Sequence, residues 1–157
     1  MAELQPRDTS EIHYLVVHCS DSPKATTTTE DIDQWHKDRG WVCIGYNGVI
    51  EGDGSFHVGR PDDVMPAHAE GFNHCSLGIC VTGRFDEETI EEGDSQFEAL
   101  VQVVAAKCKE YDIPVQQVIG HRDVYTLQGV PQAKTCPGHN LYALLPRLRE
   151  RVAGYLA

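Results

Sequence analysis

The stretch IHYLVVH, Ile12–His18, decides how the chain is read. It alternates at first and then turns wholly apolar, the pattern of a β-strand. It ends on a histidine, followed by Cys19 and Ser20. Outward from it, Thr29 precedes the acids Glu30 and Asp31, an expected helix start. That helix runs through Ile32, Trp35 and His36 and stops at Gly40. Gly45–Ile50 reads as a short strand, EGDG (Glu51–Gly54) as a hairpin turn and Phe56–Val58 as the return strand. SLGICVT, Ser76–Thr82, is an expected buried strand. Ser95 with Glu98 makes a capping-box pattern. It opens a helix with Phe97, Leu100, Val101, Val104 and Cys108 on one face. After Pro114, Val115–Ile119 reads as a strand leading to His121, Arg122–Asn140 as a long loop rich in Gly and Pro, and Leu141–Tyr155 as the last helix. Strands and helices interleave, so the expected class is α/β: a central mixed sheet flanked by helices, with 1–157 forming one domain.

The 157 residues suit one core, and a composition 41% hydrophobic and 24% charged is that of an ordinary globular chain. The formal net charge of -11 argues against a nucleic-acid surface, which needs Lys and Arg to neutralise phosphates. It argues equally against anionic lipids and anionic wall polymers. The acid concentrates in Asp86, Glu87, Glu88, Glu91, Glu92, Asp94 and Glu98, which reads as a solvated loop or helix entry. No segment approaches the ~18 apolar residues of a membrane span, so membrane insertion is not expected. The start, MAELQPRDTSEIHYL, lacks a basic end followed by an apolar run. The expectation is synthesis in a cytoplasm without a signal peptide. The cysteines at 19, 43, 75, 80, 108 and 136 form no CxxC pair. Five read as small apolar residues in a reducing compartment.

Cys136 is the exception, because of its company. His18 ends one strand and His121 lies at the end of another, while Cys136 sits in KTCPG in the loop beyond. Two imidazoles and a thiolate form a zinc set, and three protein ligands leave a fourth position for water, as catalytic sites do. Spacing alone does not single these residues out. Asp123 has two readings: it orients His121 through its second ring nitrogen, or it caps the loop. His13, His36, His57 and His139 read as structural or surface residues.

Six blocks add what spacing lacks: VVHCS (Val16–Ser20), QWHKDRGW (Gln34–Trp41), IGYN (Ile44–Asn47), AHAEGFNHCSLGICVTG (Ala67–Gly83), GHRDV (Gly120–Val124) and KTCPG (Lys134–Gly138). Through them the chain resembles the type-2 N-acetylmuramoyl-L-alanine amidases, especially the small lysozymes of T7-like phages, whose domain the peptidoglycan recognition proteins share. The resemblance implies one zinc per chain held by His18, His121 and Cys136. It implies catalytic roles for Tyr46 and Lys134, and a substrate groove lined by His68, Asn73 and His74. The implied substrate is bacterial peptidoglycan, cut at the amide between N-acetylmuramic acid and L-alanine. Lys134 would face the developing oxyanion, and Tyr46 would hold water or pass a proton to the leaving amine. The expected setting is a monomeric phage endolysin that reaches the wall after another protein permeabilises the membrane, with thin Gram-negative peptidoglycan favoured by the acidic charge. There are departures. Asn47 and Gly48 stand where the phage enzymes carry bulkier residues, the loop from Asp123 to Lys134 is longer, and the acidic stretch after Arg84 is this chain's own.

Three other functions follow from the same resemblance. Recognition proteins bind muropeptides without cutting them, and typically lack the cysteine ligand. The phage lysozymes also bind and inhibit a phage RNA polymerase, which a pull-down would detect. Cytosolic recycling amidases usually carry Asp as the third ligand. Cys136 argues against the first and the last.

Overall fold

The computed structural model describes residues 3–157; Met1 and Ala2, at the head of the stretch lacking signal-peptide features, lie outside the described residues. Its strands are β1 (Tyr14–Cys19), β2 (Gly48–Ile50), β3 (Phe56–Val58), β4 (Ser76–Val81) and β5 (Val118–Gly120). They form one sheet in the order β3-β2-β4-β1-β5. β1 pairs in parallel with both β4 and β5, β2 pairs in parallel with β4, and β3 closes an antiparallel edge on β2. This is the expected mixed sheet.

The helices are α1 (Thr29–Asp38), α2 (Ser95–Tyr111), α3 (His121–Leu127), α4 (His139–Tyr142) and α5 (Leu145–Leu156). Side chains alternate across the sheet. Leu15, Val17, Leu77, Ile79 and Val81 pack with Phe97, Leu100 and Val104 of α2 and with Leu148 and Val152 of α5. Phe97, Leu100 and Leu148 are fully buried, and burial of this kind contributes about 1.5–3 kcal/mol per side chain. On the other face Val16 and Ile119 meet Val124 of α3, and Val49 and Cys80 meet Ile32 of α1. β1 is covered on both sides, so its middle is apolar without interruption. His18 shares the face of Val16, between α1 and α3.

Several sequence expectations shift. The cap of α1 is Thr28, one residue earlier than expected. Its hydroxyl accepts from the Asp31 N–H at 3.1 Å while the Asp31 carboxylate accepts from the Thr28 N–H at 2.9 Å. The Ser95/Glu98 box does not form. Asp94 is the N-cap residue and makes no side-chain cap bond. Glu98 instead accepts from the Gly93 N–H at 3.1 Å. The EGDG turn closes as expected through a Gly54 N–H to Glu51 carbonyl bond of 2.9 Å. β2 is shorter than Gly45–Ile50, and Val115–Gln117 is a 3-10 turn ahead of β5. The supposed loop from Arg122 contains most of α3, and the final helix is split into α4 and α5.

Asn47 and Gly48, the departures beside Tyr46, are structural. Asn47 is buried; its Nδ2 donates to the Arg60 carbonyl and its Oδ1 accepts from the Gly78 N–H at 3.0 Å. A Cβ on Gly48 would fall 2.4 Å from the Phe56 ring. Among the described residues no helix is long and apolar enough to cross a membrane.

Candidate metal centre and cleft

Register brings the two imidazoles together. Val17 on β1 lies opposite Gly120 on β5, so the next residue along each strand direction is a histidine: His18 on β1 and His121 at the start of α3. Their ring centroids are 4.5 Å apart. Cys136 arrives from the loop before α4, and its carbonyl accepts from the Arg122 N–H at 2.9 Å. That bond uses one of the free N–H groups at the start of α3, so the histidine-bearing helix and the cysteine loop are joined.

The acidic run holds the same loop from its other side. The Asp86 carboxylate accepts from Thr135 Oγ1 at 2.6 Å and from the His139 N–H at 2.8 Å. This run is therefore a clamp as well as a solvated surface. Glu92 and Glu98 pair with Arg147 and Arg151 of α5. Those pairs are solvent-exposed, where such contacts contribute little to stability.

The ligating atoms of His18, His121 and Cys136 all lie within 4.8 Å of one another. A tetrahedral zinc would set an imidazole nitrogen and a thiolate sulfur roughly 3.6 Å apart; His18 Nδ1 is 3.7 Å from Cys136 Sγ. Burial pushes the His18 imidazole well below its ordinary value, with His68, His121 and Lys134 adding to the effect. Burial, then the Lys134 ammonium, lowers His121 to about 4. Both rings are neutral at neutral pH, the form in which imidazole ligates a metal. The donor set fits zinc.

The site opens into a cleft of about 1140 Å³, larger than the roughly 300–1,000 Å³ of small-molecule pockets. Tyr46, His68, Asn73 and Lys134 line it with the three candidate ligands. The Tyr46 ring centroid is 5.0 Å from that of His18. Burial raises the Tyr46 phenol well above its ordinary value, so it stays protonated and can donate. Lys134 is exposed, yet its charge reaches both histidines.

Other expected site residues lie differently. His74 is exposed and does not line the cleft. Asn73 Oδ1 accepts from the His68 and Ala69 N–H groups, each at 2.9 Å. The His68 ring is engaged at both nitrogens, by His18 at 2.8 Å and Ser76 at 2.9 Å. His36 is structural, its Nδ1 accepting from the Gly45 N–H at 2.9 Å. Cys80 and Cys108 are buried apolar residues as expected, but Cys19 is not a bystander: its N–H donates to Cys136 Sγ at 3.3 Å. Trp35, Arg39 and Trp41 also line the cleft. The QWHKDRGW block held them, but nothing in their types marked a role.

Asp123 resolves as a cap. One oxygen accepts from the Gly120 N–H at 2.9 Å and the other from the Tyr142 hydroxyl at 2.6 Å. Asp123→Ala is therefore expected to lower stability by about 1–2 kcal/mol, the range for losing such a cap, with zinc content unchanged. Thermal unfolding and metal analysis of the same sample check both parts.

Residues 8–139 match the N-acetylmuramoyl-L-alanine amidase family. The chain belongs to that family. As an N-acetylmuramoyl-L-alanine amidase, it is an enzyme that hydrolyses an amide bond of the bacterial cell wall. It is 32% identical over 147 residues to an endolysin of Enterobacteria phage T3, with 90% of each chain covered. It is 32% identical over 147 residues to peptidoglycan-recognition protein SC2 of Drosophila simulans, covering 85% of this chain and 72% of that one. The amidase LysC from Clostridium intestinale superposes with a TM-score of 0.80 at 27% identity, over 97% of this amidase and 91% of that chain. Drosophila PGRP-LB superposes with a TM-score of 0.75 at 27% identity, over 90% and 82%.

Proposed function

We propose that the protein is a zinc-dependent endolysin that cuts peptidoglycan between N-acetylmuramic acid and L-alanine, with one zinc per chain held by His18, His121 and Cys136. The observation that carries this reading is the convergence of those three ligand atoms within 4.8 Å in an open cleft. Zinc bound there supplies activation of water and polarisation of the scissile carbonyl. The chain's own residues supply the rest. Lys134, exposed in the same cleft as the two imidazoles, presents its ammonium to the negative charge that develops on the carbonyl oxygen. Tyr46, kept protonated by burial, donates a hydrogen bond to the attacking water or a proton to the departing amine. Trp35, 42% exposed, and the pair Arg39 and Trp41, with the guanidinium 5.9 Å from the ring centre, give the cleft an aromatic and cationic wall. Such a wall suits sugar faces and stem-peptide carboxylates. With both its ring nitrogens used within the protein, His68 touches substrate only through its carbon edge, and Asn73 shapes the groove through the backbone. The remaining partner readings stay as proposed from sequence: a monomer that binds neither nucleic acid nor membrane and meets the wall after the membrane is breached.

The test is metal analysis with wall digestion. Purified protein should hold about one zinc, as a mononuclear site does, and release stem peptides from purified sacculi. Chelation should stop release and zinc should restore it. Full activity of the metal-free protein would overturn the zinc reading. Tight binding of sacculi with no peptide released would assign the protein to recognition instead.

A further inference from the structure

A polar chain runs inward from the candidate metal centre to the main chain. It begins at the Phe72 carbonyl, which accepts from Ser76 Oγ at 2.6 Å. A carbonyl has no proton to give, so the one hydroxyl proton of Ser76 is committed there. Ser76 Oγ also lies 2.9 Å from His68 Nε2, and with its proton spent it can only accept. His68 therefore carries its proton on Nε2. A neutral imidazole has one ring proton, so His68 Nδ1 is a bare acceptor. His18 Nε2 sits 2.8 Å from it. His18 must then hold its proton on Nε2 and its lone pair on Nδ1, the atom that faces Cys136.

We infer that Ser76 and His68 are positioning residues: the Phe72 carbonyl dictates, through them, the tautomer in which His18 meets the metal. For the metal, this rests on the zinc reading above. The usual partner of a ligating imidazole is a carboxylate, a carbonyl or water. A neutral imidazole in that place orients the ring without adding negative charge beside the metal.

The surroundings fix each link. Ser76 is fully buried at the first position of β4. Asn73 Oδ1 holds the His68 backbone. Arg7 Nη1 donates to the carbonyls of Asn73 and Ser76 at 2.8 and 2.6 Å. The His68 ring lies over Gly78, where a Cβ would come within 2.5 Å of its Cγ.

Two measurements test the chain. In the zinc-free wild type at neutral pH, long-range proton–nitrogen spectra should report His18 and His68 both protonated on Nε2. In Ser76→Ala the anchor is gone, and zinc affinity measured by chelator competition should fall on the order of 10–100-fold, as for other lost partners of metal-bound histidines. Ser76→Thr, which keeps the hydroxyl, should recover most of that loss. A His18 proton on Nδ1, or unchanged zinc affinity in Ser76→Ala, overturns the inference. Should Ser76→Ala fail to fold, the wild-type spectra decide alone. A wild type that takes up no zinc would sink the zinc reading, while the spectra would still judge the hydrogen-bond chain.

Discussion

Cys136→Ala is expected to empty the metal site and abolish release of stem peptides from sacculi. The thiolate is the one anionic ligand of the set, and without it two neutral imidazoles remain to hold a dication. The loss in zinc affinity should exceed the roughly 10–100-fold that outlying partners of ligands cause. The fold should survive. The carbonyl of residue 136 still accepts from Arg122, and Thr135 still donates to Asp86. What is lost are the weak contacts of the sulfur: with the Cys19 N–H at 3.3 Å, the Cys19 carbonyl at 4.0 Å and His18 Nδ1 at 3.7 Å. In the presence of chelator, wild type and variant should therefore unfold at nearly the same temperature. With zinc added, only the wild type should gain stability, by about 4 kcal/mol when free zinc is a thousand times its dissociation constant. Zinc content, unfolding with and without zinc, and peptide release make the comparison. A variant that keeps one zinc and full activity would end the ligand assignment.

The strands were legible because a both-sides-buried strand announces itself as an apolar run, as Leu15–Val17 does. α2 was legible because its apolar face repeats at helical spacing. α3 was not, since its N-cap is Gly120 and the capping group is Asp123, already inside the helix. A glycine start within a Gly- and Pro-rich stretch carries loop signals only. The Ser95/Glu98 pattern failed for the opposite reason: the right residue types were present, but the helix enters one residue earlier. In the site, the sequence placed His18 and His121 at strand ends without saying that β1 and β5 are neighbours. Pairing of strands about a hundred residues apart is a tertiary fact, and only the flanking blocks made the ligand set specific. Charge patterning missed the role of Asp86, because its partners Thr135 and His139 lie some fifty residues on. Ser76 was invisible, since a buried hydroxyl in an apolar strand has no pattern of its own.

Lys134→Met should lower kcat by about 10²–10³, the loss seen when one oxyanion donor is removed (about 2.7–4 kcal/mol), while KM and zinc content change little. The argument is electrostatic. Lys134 is exposed, and no carboxylate pairs with it among the described residues. An unpaired ammonium on the rim of a metal site is not holding the fold together. It lines the same cleft as His18 and His121, and its charge opposes protonation of both, so it can act on a further charge that develops in that cleft. In the ground state the scissile carbonyl is neutral and gains little from that ammonium. In the transition state the oxygen is negative and gains much, so the effect belongs in kcat. Methionine keeps the length of the stem and removes the ammonium, its charge and its N–H donors together. The His121 ring, relieved of that charge, should titrate higher than its present value of about 4, a shift that ring-proton spectra of the zinc-free variant would register. Lys134→Arg should recover part of the rate, since the charge returns on a wider and less compact head. If Lys134→Met lost activity through KM alone, the lysine would be a substrate anchor and not a stabiliser of the oxyanion.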